Sequence, residues 1–226
     1  MRILVVAAHP DDEALGCGAT TARHAAAGDE VSVLILGEGI TSRAGLSAAR
    51  RKAELARLHA AARRASKAMG VAKLTLERFP DNSFDTVARL KLVHRVETEI
   101  DAWKPEVVYT HSAADLNVDH QLTCEAVKTA TRPIGRDCPR RVLTFEVPSA
   151  TEWRFDAARS FRPQVFVDVE ATLEAKLAAL AAYGGEMRPF PHPRSAEYVR
   201  ALAAWRGSQS GCKAAEAFTL VRDVER

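Results

Sequence analysis

An α/β fold with a mostly parallel sheet and helices on both faces is predicted by three observations. Short apolar runs rich in Val, Ile and Leu alternate with longer amphipathic stretches. The runs carry little polar alternation, as strands buried on both sides do. Polar clusters follow several runs directly, and in open parallel sheets ligands bind beyond the carboxyl ends of the strands.

Residues 3–8 read as the first buried strand, and the helix behind it runs to about residue 27, with Asp11 or Asp12 as its N-cap. Gly28 ends that helix. Residues 31–36 form a second strand, and 37–45 a polar loop. Residues 47–69 form a long helix in which Leu55, Leu58, Ala62, Ala65 and Met69 recur at three- and four-residue steps. A strand over 74–79, a loop over 80–83 and a helix over 87–103 follow. The strand 107–110 runs into His111, and a helix spans 119–131. The pattern then loosens into strands at 142–147 and 165–169, a helix at 172–183, a proline-rich loop at 187–194, a helix starting at Ser195 and a last strand at 217–221.

The chain has 226 residues, 47% of them hydrophobic, enough for one α/β core, and residues 1–226 are read as a single domain. The net charge of +3 is too mild to point to nucleic acid or a membrane surface. No run approaches the ~20 apolar residues of a membrane span. The opening apolar run breaks at His9-Pro10-Asp11, too early for a signal peptide. Four cysteines without a C-x-x-C pair suggest buried thiols in a reduced, cytoplasmic protein. No G-x-G-x-x-G follows the first strand, which argues against a dinucleotide site. A homo-oligomer is compatible with this composition.

The chemistry concentrates in Ala8-His9-Pro10-Asp11-Asp12-Glu13 at the end of the first strand. An imidazole and three carboxylates crowd one turn, an arrangement that asks for a cation or a reaction. His9 and Asp12 sit three apart across the strand-to-helix turn. His120, from the cluster Asp115-Leu116-Asn117-Val118-Asp119-His120, can supply a third ligand from the same rim. Two imidazoles and a carboxylate are the ligands of hydrolytic zinc sites, with one Zn2+ per chain, and also of non-haem iron. Asp11, beside a ligand, is placed to take a proton from metal-activated water. His24, His59 and His94 fall within helices and are expected at the surface.

These segments resemble the PIG-L/LmbE-like family of zinc-dependent N-acetylglucosaminyl deacetylases. The first signature resembles that family's A-H-P-D-D-E. The second, residues 117–120, resembles its H-x-x-H region, with Asn117 in place of the first histidine. Softer likenesses are Thr41-Ser42-Arg43, Arg51-x-x-Glu54, Phe79-Pro80-Asp81-Asn82, Pro191-His192-Pro193-Arg194-Ser195 and Ala215-Glu216-Ala217-Phe218. The resemblance implies a Rossmann-like fold and hydrolysis of the N-acetyl group of an N-acetylglucosamine-type amino sugar, a small-molecule substrate. It implies zinc on His9, Asp12 and His120, with Asp11 as general base and Arg43 in the substrate pocket. Asp81 and Asn82 are candidates for sugar hydroxyls. Asn117 is a hydrogen-bond donor for the substrate, and Asp119 orients a neighbouring group. Asn117 cannot deliver a proton, so the acid falls to protonated Asp11, then His192, then His111. The competing readings are a different metal-dependent hydrolase, such as a phosphoesterase, and a catalytically decayed sugar-binding protein.

Overall fold

A computed structural model describes residues 1–42, 45, 47–134 and 138–225. Seven strands form one sheet, in the order β3-β2-β1-β4-β5-β7-β6. The strands are β1 (Arg2–Ala7), β2 (Glu30–Gly37), β3 (Lys73–Phe79), β4 (Val107–His111), β5 (Arg141–Phe145), β6 (Val165–Asp168) and β7 (Ala215–Asp223). The first five are mutually parallel, and β7 runs antiparallel between β5 and β6.

Side chains alternate across this sheet. Ile3, Val5 and Ala7 join Val33, Ile35 and Tyr109 in a core shared with helices α1 (Asp12–Ala26), α2 (Ala48–Ala68) and α5 (Leu173–Ala182). Leu4, Val6 and Ala8 face the other way, onto Leu92, Val96 and Val127 of α3 (Arg89–Trp103) and α4 (Val118–Ala130). Both faces of β1 are therefore dry, which is why its sequence is an unbroken apolar run. Helix α6 (Ala196–Ser208) packs against β7 and β6.

The chain leaves β1 toward β2 and β3 on one side and returns to β4 and β5 on the other. The crevice between the carboxyl ends of β1 and β4 is thus the point where strand order reverses, the place where such sheets open a binding site. His9 follows the end of β1, and His111 ends β4.

Several boundaries differ from the sequence expectation. Helix α3 starts at Arg89 because residues Phe84–Thr86 form a 3₁₀ turn that buries Phe84. Strand β7 is longer than expected because it pairs on both edges. His24 is half-buried and partnered. Its ring lies between Asp29 and Tyr109, with Nδ1 2.7 Å from Asp29 and Nε2 3.0 Å from the tyrosine hydroxyl. His94 is exposed as expected and His59 is half-buried. Cys17 and Cys124 are buried, whereas Cys138 and Cys212 are only partly so. Among the described residues no helix is long and apolar enough to cross a membrane.

Helix α1, which carries Asp12 and Glu13, breaks at Cys17, whose φ is −146°. The break frees backbone groups inside the core, and two charged side chains take them. The Glu216 carboxylate accepts the amides of Ala19 (3.1 Å) and Thr20 (2.7 Å), and Lys176 Nζ donates to the Leu15 carbonyl (2.7 Å). Lys176 and Glu216 also pair with each other at 2.6 Å. Removing one member leaves the other buried and uncompensated. Lys176→Met is therefore expected to cost about 3–5 kcal/mol of unfolding free energy in urea titrations. A loss below about 1 kcal/mol would show that the kink does not depend on this pair.

Candidate active site

The turn after β1 is built so that three side chains point into the crevice. Asp11 adopts φ 112°, a conformation costly for a residue with a Cβ. Two struts hold it there. Its amide donates to Glu13 Oε2 (3.1 Å), and Glu13 Oε1 accepts the Tyr183 hydroxyl (2.6 Å). On the other side Arg194 Nη1 donates to Asp11 Oδ2 at 2.8 Å. Asp11 is the N-cap residue of α1 by position, but its side chain makes no cap bond, because the carboxylate is turned to Arg194.

Asp12 lies at the centre of the cluster and is fully buried. Its Oδ2 accepts the His9 amide at 2.8 Å and lies 3.3 Å from His9 Nδ1, 3.2 Å from His120 Nε2 and 3.6 Å from His111 Nε2. Its Oδ1 is buried and has no hydrogen-bond partner among the described residues. A carboxylate oxygen out of water and unpaired is costly unless a cation completes it.

Three overlapping groups bring potential metal-ligand atoms within 4.8 Å of one another: His9, Asp12 and His120; His111, Asp115 and His120; and His9, Asp81 and Asp119. Proton bookkeeping separates them. The Ala8 amide donates to His111 Nε2 at 2.8 Å, so His111 Nδ1 carries the ring proton and neither nitrogen has a lone pair to spare. His9 Nε2 lies 2.9 Å from Asp119 Oδ2 and 3.3 Å from Asp81 Oδ1, which makes Nε2 the donor and leaves Nδ1 open toward Asp12. His120 Nδ1 sits 3.1 Å from Asp115 Oδ2, an ion-pair contact not aligned as a hydrogen bond, and Nε2 faces Asp12. The first group therefore fits a divalent ion, with His9 Nδ1, His120 Nε2 and Asp12 as donors. A carboxylate stands behind each imidazole, as it does around metal-bound histidines.

Without a cation the surrounding carboxylates hold protons on His9 and His120, which a metal ion would displace. Burial lowers the His9 pKa, but Asp119 and Asp12 outweigh it and raise it to about 10. Burial acts the same way on His120, and Asp12 with Asp115 brings it up to about 9. Asp12 is held well below the usual carboxylate range against its burial, chiefly by His120. Burial and the neighbouring His120 push His111 well below its ordinary value and keep it neutral. Burial lifts Asp11 to about 8 although Arg194 opposes the shift, and it lifts Glu13 to about 7.

A cleft of about 330 Å³ opens over these residues. It is lined by His9, Asp11, Asp81, Asn82, Asn117 and His120, with Ser149 and Arg194 from the later part of the chain. Asp119 lies beneath it, with Oδ2 on His9 and Oδ1 accepting the Phe84 amide at 2.9 Å. Asp81 reaches the cleft but is largely committed. It accepts from the Ser42 amide and hydroxyl, and its own amide donates to Thr41. Asn117 is the N-cap of α4. Its Oδ1 accepts from Asp119 N and His120 N, and its Nδ2 donates to Asn82 Oδ1 at 2.9 Å. Arg43 lies outside the described residues.

The cleft does not include His192. That ring stands edge-on to Trp153, with centroids 5.8 Å apart, and its Nδ1 accepts the Arg194 amide at 3.0 Å. From the same P-H-P-R-S loop it is Arg194 that enters the site. Sequence reading passed over Arg194, Asp115 and the Glu13–Tyr183 strut. Arg194 and Asp115 lie inside the P-H-P-R-S and D-L-N-V-D-H segments, a signal in the sequence, whereas nothing local marks Tyr183.

A buried His-Asp-His cluster with a second carboxylate in an open cleft, at the switch point of a parallel sheet, marks an α/β protein with a candidate metal site. The profile of the PIG-L family, described as GlcNAc-PI de-N-acetylase, matches residues 4–131. A protein described as an uncharacterized deacetylase, YaiS of Escherichia coli K12, is 32% identical over 187 residues, 79% of this chain and 88% of that one. The chain belongs to the PIG-L family of de-N-acetylases. Its fold is similar to that of N,N'-diacetylchitobiose deacetylase from Pyrococcus horikoshii, with a TM-score of 0.76, 18% identity and coverage of 97% of this chain and 83% of that one. It is equally similar, at a TM-score of 0.76 and 22% identity over 100% and 98% of the two chains, to the 4-carboxy-2-hydroxymuconate hydratase GalB from Pseudomonas putida KT2440. The frame alone therefore does not choose the reaction.

Asp119→Ala frees His9 to rotate without removing a ligand. The variant is expected to bind zinc about 10–100-fold more weakly in chelator competition, and to melt lower because the Phe84 amide loses its acceptor. Unchanged affinity would show that Asp119 does not orient His9.

Proposed function

We propose that this protein is a zinc-dependent N-deacetylase that removes the acetyl group from an N-acetylglucosamine-type amino sugar or its conjugate. The observation that carries the reading is the buried Asp12 carboxylate, one oxygen facing His9 and His120 and the other without a hydrogen-bond partner among the described residues, with a second carboxylate, Asp11, on the cleft wall beside it. His9, Asp12 and His120 would hold the ion. Zinc in such a site activates water at neutral pH and polarises a carbonyl. Membership in the PIG-L family supports N-acetyl chemistry over the hydratase chemistry of GalB. Iron or another divalent ion suits the same donors, and zinc is favoured by the two-imidazole, one-carboxylate set.

In this reading Asp11 takes the proton of the attacking water and returns it to the leaving amine. Burial holds its pKa near neutrality, so the carboxylate can act in both directions. Asp115 and Asp119 fix the imidazoles behind the site. Asn82 and Asn117, linked through their amides, form a polar edge of the cleft where sugar hydroxyls would lie. Arg43 would extend the substrate side of the cleft. The capping bonds of Asn117 and the packing of His192 against Trp153 favour Asp11 as the proton donor to the amine.

The test is release of primary amine, read with fluorescamine, and of acetate, from N-acetylglucosamine and a panel of its glycosides and phosphate conjugates. The zinc-loaded wild type is expected to turn over at least one of them. Asp11→Ala is expected to lose about 10²–10⁴-fold in rate while keeping its zinc. Equal and measurable rates in both proteins would remove Asp11 from the reaction. No turnover by the wild type on any N-acetyl sugar would favour a sugar-binding role.

A further inference from the structure

Arg194 is anchored at two of its three nitrogens. Nη1 donates to Asp11 Oδ2 at 2.8 Å, and Nε donates to Ser149 Oγ at 2.8 Å. Ser149 itself stands at φ 72°, and its amide is fixed by Glu152 at 2.6 Å. A side chain bound at both Nε and one Nη has its planar fork fixed in orientation. The remaining nitrogen, Nη2, has no hydrogen-bond partner among the described residues, and the residue lines the cleft with Asp11, His9 and His120. The two asparagine amides of the cleft are already engaged. Asn117 Nδ2 is on Asn82 Oδ1, and Asn82 Nδ2 reaches Asp81 and Ser42.

Resting on the deacetylase reading, we propose that Arg194 is a catalytic residue. Its guanidinium stays on Asp11 through Nη1 and donates from Nη2 to the acetyl oxygen of the substrate as negative charge develops there. A fixed cationic donor aimed at a developing oxyanion is worth more than a neutral one. It supplies what Asn117, tied into the α4 cap, does not. It also explains why two strained residues, Asp11 and Ser149, flank one arginine: each presents an oxygen that sets the fork. The loop before α6 thereby contributes a working group to a site whose candidate metal ligands and base all come from the first 120 residues.

Two measurements on zinc-loaded protein test this. The first is turnover of an N-acetylglucosamine glycoside accepted by the wild type. Arg194→Ala is expected to lower kcat about 10²–10³-fold, with KM within threefold and zinc content unchanged, in a folded protein that melts somewhat lower because one strut of Asp11 is lost. Millimolar guanidinium should restore part of the rate to Arg194→Ala and none to Asp11→Ala. A kcat within fivefold of wild type, a rise in KM alone, or loss of zinc or fold with the rate would overturn the proposal. The second is calorimetric binding of acetate, whose carboxylate places an oxygen charge where the acetyl oxygen would sit. Arg194→Ala should weaken it at least tenfold, with Arg194→Lys in between, and equal affinities would overturn the proposal. Acetate binding decides the role of Arg194 even if the wild type deacetylates nothing, an outcome that would defeat the deacetylase reading by itself.

Discussion

The Asp12 carboxylate is the point on which the site is organised. One of its oxygens ties the turn to itself through the His9 amide and faces three imidazoles, and the other has no partner. Burying a charge this way is unfavourable without compensation. The compensation visible in the chain is incomplete. His111 is locked neutral by the Ala8 amide, and His9 and His120 each share their attention with a further aspartate. A divalent ion on Asp12, His9 and His120 would balance the cluster in one step. The rest of the architecture serves that point: parallel strands bring β1 and β4 side by side, and α4 carries Asp119 and His120 on its first turn.

The strain at Asp11 has a clear function in this scheme. A left-handed residue at the head of α1 turns its carboxylate away from the helix and into the cleft, where a capping aspartate would otherwise have folded back. Glu13, Tyr183 and Arg194 offset the cost, and Lys176 with Glu216 hold the kink further along the same helix. The later part of the chain, beyond the segment matched by the family profile, therefore acts as the brace for a motif near its beginning.

Much of this was legible in the sequence, for physical reasons that differ from residue to residue. The alternation of strands and helices was readable because both faces of β1 and β2 are dry and their runs are unbroken. His9, Asp11 and Asp12 were readable because one turn presents them together. His120 and Asp119 followed because a second acidic and imidazole cluster lies after another strand. Arg194 was not readable as a partner of Asp11, since 183 residues separate them and only the packing of β7 and α6 beside β5 brings that loop across. The neighbouring His192 is legible as a titratable ring, yet it stands edge-on to Trp153 and does not line the cleft. The Lys176–Glu216 pair was invisible for a related reason: nothing local marks a lysine in an Ala/Leu-rich helix as buried. An asparagine ahead of a helix is legible as a cap, and Asn117 caps α4 while also bordering the cleft.

The most direct test of the central claim is an anomalous-scattering map, recorded at the zinc edge from a crystal of the zinc-loaded protein. The account requires one peak per chain, at about 2.0–2.2 Å from His9 Nδ1, His120 Nε2 and an oxygen of Asp12. A peak centred instead among His111, Asp115 and His120, or no peak near Asp12, would contradict it.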